Sequence, residues 1–249
     1  MRPTAIVAAA LACLIGAMAG PAGARAETVD LLLVLAADVS RSIDEDEFNL
    51  QRKGYAQAMT DPRVLRAISG GRHHAIAVTF VEWSGAADQN VVIDWTLVRD
   101  EEGAAGVAAT MLSAPRSFLG RTSISAAIDF AMQRLAAAPD RADKRIIDVS
   151  GDGTNNAGRS ITEARDEAVA AGVTINGLAI INTRSSPGYA FHTQPPGGLP
   201  KYYEENAIGG PGAFLIHIED FNSFAEAITR KLVSEIAGIP AELQSASLR

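Results

Sequence analysis

The sequence predicts an α/β fold: a doubly wound, mostly parallel sheet with helices on both faces and one short antiparallel edge strand. Three observations carry that prediction. Apolar runs alternate with helical patterns along the chain, an order that implies parallel strands joined by crossover helices. The first run, Val29 to Ala37, is nearly all Val, Leu and Ala with one early Asp, which suits a strand covered on both faces. Oxygen-bearing side chains collect where the predicted strands end, the face at which such sheets place ligands.

The elements follow in order. Ile43 to Met59 reads as a helix, with Asp and Glu crowding a first turn where the helix dipole favours them. His74 to Trp83 and Val91 to Trp95 read as strands, close enough through Gly85 to Asn90 to pair as an edge hairpin. Glu101 to Leu112 and Ser123 to Ala137 are helical, Arg145 to Ser150 is a strand, and Ser160 to Ala171 is a helix ended by Gly172. Val173 to Ile181 and Ala213 to Ile218 are strands, and Phe221 to Ile236 a closing helix. Asn182 to Pro200, rich in Pro and Gly, reads as a long irregular loop, either a solvated insertion or a flap over the ligand face.

The N-terminus stands apart. Arg2, an apolar run from Ala5 to Ala19, the break at Pro21-Ala22-Gly23 and the small-x-small Ala24-Arg25-Ala26 form a secretory signal peptide. The run is shorter than the roughly 20 apolar residues a spanning helix needs. Cys13 lies inside it rather than after it, so a lipid anchor there is disfavoured. Domain boundaries are therefore expected at 1–26 for the signal, 27–237 for one exported domain and 238–249 for a fraying tail. No membrane span is expected after cleavage.

Composition narrows the chemistry. The 249-residue chain carries 22 basic and 29 acidic side chains, a net charge of −7. Loss of Arg2 and Arg25 with the signal takes it to −9. An acidic chain without a basic stripe has no footprint for nucleic acid. Cys13 is the lone cysteine, so the mature domain has no thiol for disulfides, thiolate zinc sites or cysteine nucleophiles. Neither a Gly-x-Ser-x-Gly elbow nor a Gly-x-x-x-x-Gly-Lys-Ser/Thr loop occurs. The histidines, including the adjacent His73 and His74, are expected to be satisfied or solvated.

One constellation remains. Asp38, Ser40 and Ser42 leave the first strand at alternate positions, Thr122 stands in a loop before a helix, and Asp152 follows the strand that begins near Arg145. Two carboxylates with neutral hydroxyls make an oxygen-only donor set. Hard divalent cations prefer such ligands, Mg²⁺ above all where waters are retained, with Mn²⁺ or Ca²⁺ as alternatives. Asp148, inside an apolar strand, is either support for this set or half of a salt bridge to Lys144, Arg145 or another basic residue, since an unpaired buried charge would cost several kcal/mol.

The pattern Asp-x-Ser-x-Ser, distant Thr, distant Asp resembles the metal-ion-dependent adhesion site of von Willebrand factor type A (VWA) domains, and the likeness extends over most of the mature chain. It implies that the hydroxyls of Ser40, Ser42 and Thr122 touch the metal, that Asp38 and Asp152 act largely through bound water, and that the metal captures an Asp or Glu carboxylate of a partner protein. Within that family the chain looks like a secreted bacterial branch. Two positions depart from the family's habit: Gly151 stands where Thr is common, and Arg41 brings a cation into the first triplet. The same residues also resemble a phosphatase of haloacid-dehalogenase type through Gly151 to Asn156 and Asp38. That family has an acid two residues after the nucleophile; Ser40 stands there instead, which removes a proton donor worth about 10²- to 10⁴-fold. A VWA-like domain with a vestigial site is the remaining alternative.

Overall fold

A computed structural model describes residues 26–181 and 193–238. The predicted signal peptide, apart from Ala26, lies outside the described residues, as do Cys13, positions 182–192 of the Pro/Gly-rich stretch and the tail beyond Gly238.

Six strands form one sheet: β1 (Thr28–Asp38), β2 (Ile76–Trp83), β3 (Gln89–Val98), β4 (Arg141–Gly151), β5 (Thr174–Ile180) and β6 (Leu215–Ile218). Their order is β3-β2-β1-β4-β5-β6. All neighbouring pairs are parallel except β2 and β3, which form the expected antiparallel edge. β1 occupies the middle because it is the most apolar strand, and every residue from Val29 to Asp38 is buried. The strand order turns back between β1 and β4, so the crevice at the carboxyl ends of these two strands is the fold's natural ligand position.

Among the described residues there are seven α-helices: α1 (Glu45–Thr60), α2 (Pro62–Ser69), α3 (Glu101–Ser113), α4 (Ile124–Ala136), α5 (Ile161–Ala170), α6 (Leu199–Asn206) and α7 (Phe224–Ala237). Alternation along β1 divides the core. Leu31, Leu33 and Leu35 pack with Tyr55 of α1, Ile68 of α2, Met111 of α3 and Phe224 of α7. Leu32, Val34 and Ala36 pack with Ile128 of α4, Ala164 of α5 and Tyr203 of α6. None of these helices is long and apolar enough to cross a membrane.

Local chemistry sets the helix ends. Asp44 caps α1 in a reciprocal box with Glu47, which satisfies two otherwise free amides. Gly238 ends α7 in the left-handed region at φ 68°, where an L side chain is strained.

Two helices escaped the sequence reading. α2 begins one residue after α1 ends, and its signal was Asp61 as N-cap with Pro62 in the first turn. α6 takes up Leu199 and Pro200, which were read as loop. Its N-cap, Gly198 at φ 87°, offers no side chain to announce the start.

Candidate metal centre

The end of β1 and the turn after it deliver Asp38, Ser40 and Ser42. The Ser40 amide donates to Asp38 Oδ1 at 2.7 Å, fixing the carboxylate at the mouth of the turn. The Ser40 and Ser42 hydroxyls lie 3.2 Å apart, and Ser42 Oγ donates to Asp152 Oδ1 at 2.6 Å. Four of the five residues singled out in the sequence are thus linked in one chain of contacts across the β1–β4 crevice.

Thr122 belongs to the loop before α4, and that loop is tied in from both sides. The Arg41 amide donates to Gly120 O at 3.0 Å. The Thr122 amide donates to Asn156 Oδ1 at 3.0 Å, and its carbonyl accepts from Asn156 N at 2.8 Å. Asn156 lies four residues past Asp152, so this double bond joins the second element of the motif to the third. Asp38, Ser40, Thr122 and Asp152 are all buried, and Ser42 partly so.

The charge balance is uncomfortable as it stands. Burial first, and then the charge of Asp152, push the Asp38 carboxyl well above the usual carboxylate range. Asp38 Oδ2 has no hydrogen-bond partner. Arg116 is the cation that opposes this charge, but one of its terminal nitrogens donates to the backbone carbonyls of Val39, Ser40 and Ile43 at 2.8 to 2.9 Å. Arg41, expected to bring a cation into the triplet, has an exposed side chain. Arg116 holds the turn from beneath; nothing in its own sequence neighbourhood marks it for that role.

Other unforeseen residues surround the pair. Gln51 Nε2 donates to Asp38 O at 3.1 Å, and Tyr55 Oη lies 2.9 Å from Ser150 Oγ. The Tyr203 hydroxyl is buried without a partner, and burial, Asp38 and Asp152 in that order raise its pKa well above 10. Gly151 makes room for it: a Cβ there would stand 2.7 Å from Tyr203 Oη and 2.9 Å from Asp38 Oδ2.

Asp148 resolves as the salt bridge rather than as part of the site. Its Oδ1 lies 2.8 Å from Lys231 Nζ on α7, and Lys231 also meets Glu235 at 2.6 Å, all three fully buried. Ser40, which stands where the phosphatase pattern has its second acid, lies with its hydroxyl beside that of Ser42.

The donors that converge here are oxygens, the carboxylates are buried as a like-charged pair, and one carboxylate oxygen is orphaned. Such a set fits a hard divalent cation, which would supply the missing positive charge and a partner for Asp38 Oδ2.

The mostly parallel six-stranded sheet, its antiparallel edge and helices on both faces give this chain a VWA-like α/β fold. Among the solved structures that share the fold are the following three. Proximal thread matrix protein 1 of the mussel byssus, in a form with a zinc-occupied MIDAS motif, superimposes with TM-score 0.57 at 14% identity over 85% of this chain and 49% of that one. The pilus adhesin SpaC of Lactobacillus rhamnosus GG gives 0.62 at 11% identity over 85% and 31%. A von Willebrand factor type A protein of Catenulispora acidiphila gives 0.57 at 13% over 84% and 43%. The chain thus spans less than half the length of each. It belongs to the DUF1194 family of proteins of unknown function, whose pattern matches residues 28–240. No curated protein matches it in sequence.

Proposed function

We propose that the chain is an exported, non-catalytic binding domain that uses a divalent cation, Mg²⁺ in the first instance, to capture an Asp or Glu carboxylate on a partner protein. Export rests on the signal-like residues 1–26, the binding domain on 27–237, and residues 238–249 form its tail. Asp38, Ser40, Ser42, Thr122 and Asp152 would hold the ion. When bound, it supplies an electrophilic position for an external carboxylate.

The chain's own residues do the rest. The Ser40 amide and Gln51 fix Asp38 and its strand end, Ser42 orients Asp152, and Asn156 ties the backbone of Thr122 to the loop that follows Asp152. Two acids against one dication leave little excess negative charge, so an incoming carboxylate is not repelled. The observation that carries the reading is the buried, like-charged Asp38–Asp152 pair with its orphaned oxygen. The adhesin and byssal proteins that share the fold agree with a role in adhesion.

Thermal unfolding against Mg²⁺ tests it. An ion at about 100 times its dissociation constant stabilises the folded state by roughly 2.7 kcal/mol, and Asp152→Ala is expected to abolish that gain. A melting curve unchanged from chelator to millimolar Mg²⁺, Mn²⁺ and Ca²⁺ refutes the proposal.

A further inference from the structure

The far end of the same central strand carries a second cluster. Asp30 lies near the start of β1 as Asp38 ends it, eight residues and roughly 26 Å away at the usual strand rise. In the β1–β4 register Val29 faces Ala142 and Leu31 faces Lys144, which sets Asp30 beside Asp143 on one face of the sheet. His73, in the connection from α2 to β2, closes the group. One ligand atom from each of Asp30, His73 and Asp143 lies within 4.8 Å of the others.

Three features distinguish this group from a chance meeting of surface charges. Asp30 is buried and its carboxylate is locked, with Oδ1 accepting from the His73 amide at 2.9 Å and Oδ2 from the Ala75 amide at 3.3 Å. Gly71 leaves the carboxylate its space, since a Cβ there would fall 2.2 Å from Asp30 Oδ2. His73 Nε2 is shielded from solvent and makes no hydrogen bond, although it faces Asp143 Oδ2 at 3.4 Å. That separation is long for a hydrogen bond. It equals the edge of a tetrahedron, about 3.4 Å, when metal–ligand bonds are about 2.1 Å. His74 takes no part, because its Nδ1 turns to Ser69 O at 2.6 Å.

We infer that Asp30, His73 and Asp143 form a second metal site, separate from the Asp38–Asp152 centre, that takes Zn²⁺ or a similar borderline cation through one imidazole nitrogen and two carboxylate oxygens. One nitrogen and two oxygens match zinc better than Mg²⁺, which favours all-oxygen octahedra. The ion would clasp β1, β4 and the α2–β2 connection at the end of the sheet opposite the first centre. The basic groups nearest in the chain are Arg72 and Lys144, and Lys144 Nζ is already engaged by the carbonyls of Glu235 and Ile236 at 2.8 to 2.9 Å.

The test must separate the two centres, so Zn²⁺ is titrated calorimetrically into chelator-treated protein carrying Asp38→Ala and Asp152→Ala. One equivalent of Zn²⁺ is expected to remain bound. Adding His73→Gln should weaken it more than tenfold, and Asp143→Asn, at a half-exposed position with little bearing on folding, should do the same. Co²⁺ in place of Zn²⁺ should give the intense visible bands of a tetrahedral site in the double variant, lost with His73→Gln. Absence of Zn²⁺ binding in the double variant, or binding indifferent to both His73→Gln and Asp143→Asn, overturns the inference.

Discussion

Tyr203 Oη and Asp38 Oδ2, brought together from α6 and the end of β1, both approach within 3 Å of the point where a Cβ on Gly151 would stand, and neither has a hydrogen-bond partner. The residue type at 151 is therefore dictated by a tyrosine that is distant in sequence.

Gly151→Ala is expected to destabilise the protein by about 1–3 kcal/mol, as overpacking of a closed site does. Combining it with Tyr203→Phe, which removes one of the two oxygens in the way, should return part of that loss. Urea unfolding of the two single variants and the double variant measures the coupling, and strictly additive effects would show that the three groups do not share one space.

Asp38→Asn should have opposite effects with and without metal. In chelator the variant loses a buried charge facing Asp152 and is expected to melt higher than the wild type. In saturating Mg²⁺ the order should reverse, because the wild type alone gains from the ion. Differential scanning calorimetry in both buffers checks the crossing.

Arg116 gathers three carbonyls of the turn that carries Ser40 and Ser42. Arg116→Met keeps most of the stem but removes the guanidinium donor from all three carbonyls, of which Ser40 O keeps the Ile43 amide. A loss on the order of 3 kcal/mol is expected, hydrogen bonds to charged groups being the stronger class. Arg116→Lys should recover little of it, since an ammonium lacks the planar fork. Chemical denaturation of both variants reads the difference.

A pH dependence follows from the buried triad. Burial, then Asp148, raise the Glu235 carboxyl from 4.5 to about 7 against the opposing pull of Lys231 and of the Asn176 amide. Lys144 meets the backbone carbonyl of Glu235 and not its carboxylate. A raised acid binds its proton more tightly in the folded state than in the unfolded one. Stability from this group is therefore full below about 4.5 and is lost as pH rises toward 7. Glu235→Gln should flatten that part of the stability–pH curve, measured by chemical denaturation at fixed ionic strength.

Most of the sheet was legible because its strands are uniform in character: Val29–Asp38 has no polar break long enough to suggest anything else. The grouping of Asp38, Ser40, Ser42 and Asp152 was legible because they sit at element ends, where spacing and turn chemistry carry meaning, and contacts in the structure link these four. What surrounds them was not. Tyr203, Arg116 and Gln51 reach the crevice from a short helix, an irregular loop and a helix face, and only the tertiary fold relates those positions. The start of α6 was hidden by Pro200 and by the Gly197-Gly198 pair just before the helix, which read as loop when taken singly. The Asp30, His73 and Asp143 group was equally invisible, since strand register rather than sequence spacing sets its two acids side by side.

The central position of β1 has a mechanical consequence. The strand is hydrogen-bonded along both edges, to β2 from Leu31 to Asp38 and to β4 from Thr28 to Ala37. A load applied at Asp38 along the strand is therefore shared as shear across two ladders at once. The same load on four-residue β6 would fall on one short ladder to β5. A tether fastened at the end of β1 hangs from a strand held on both sides.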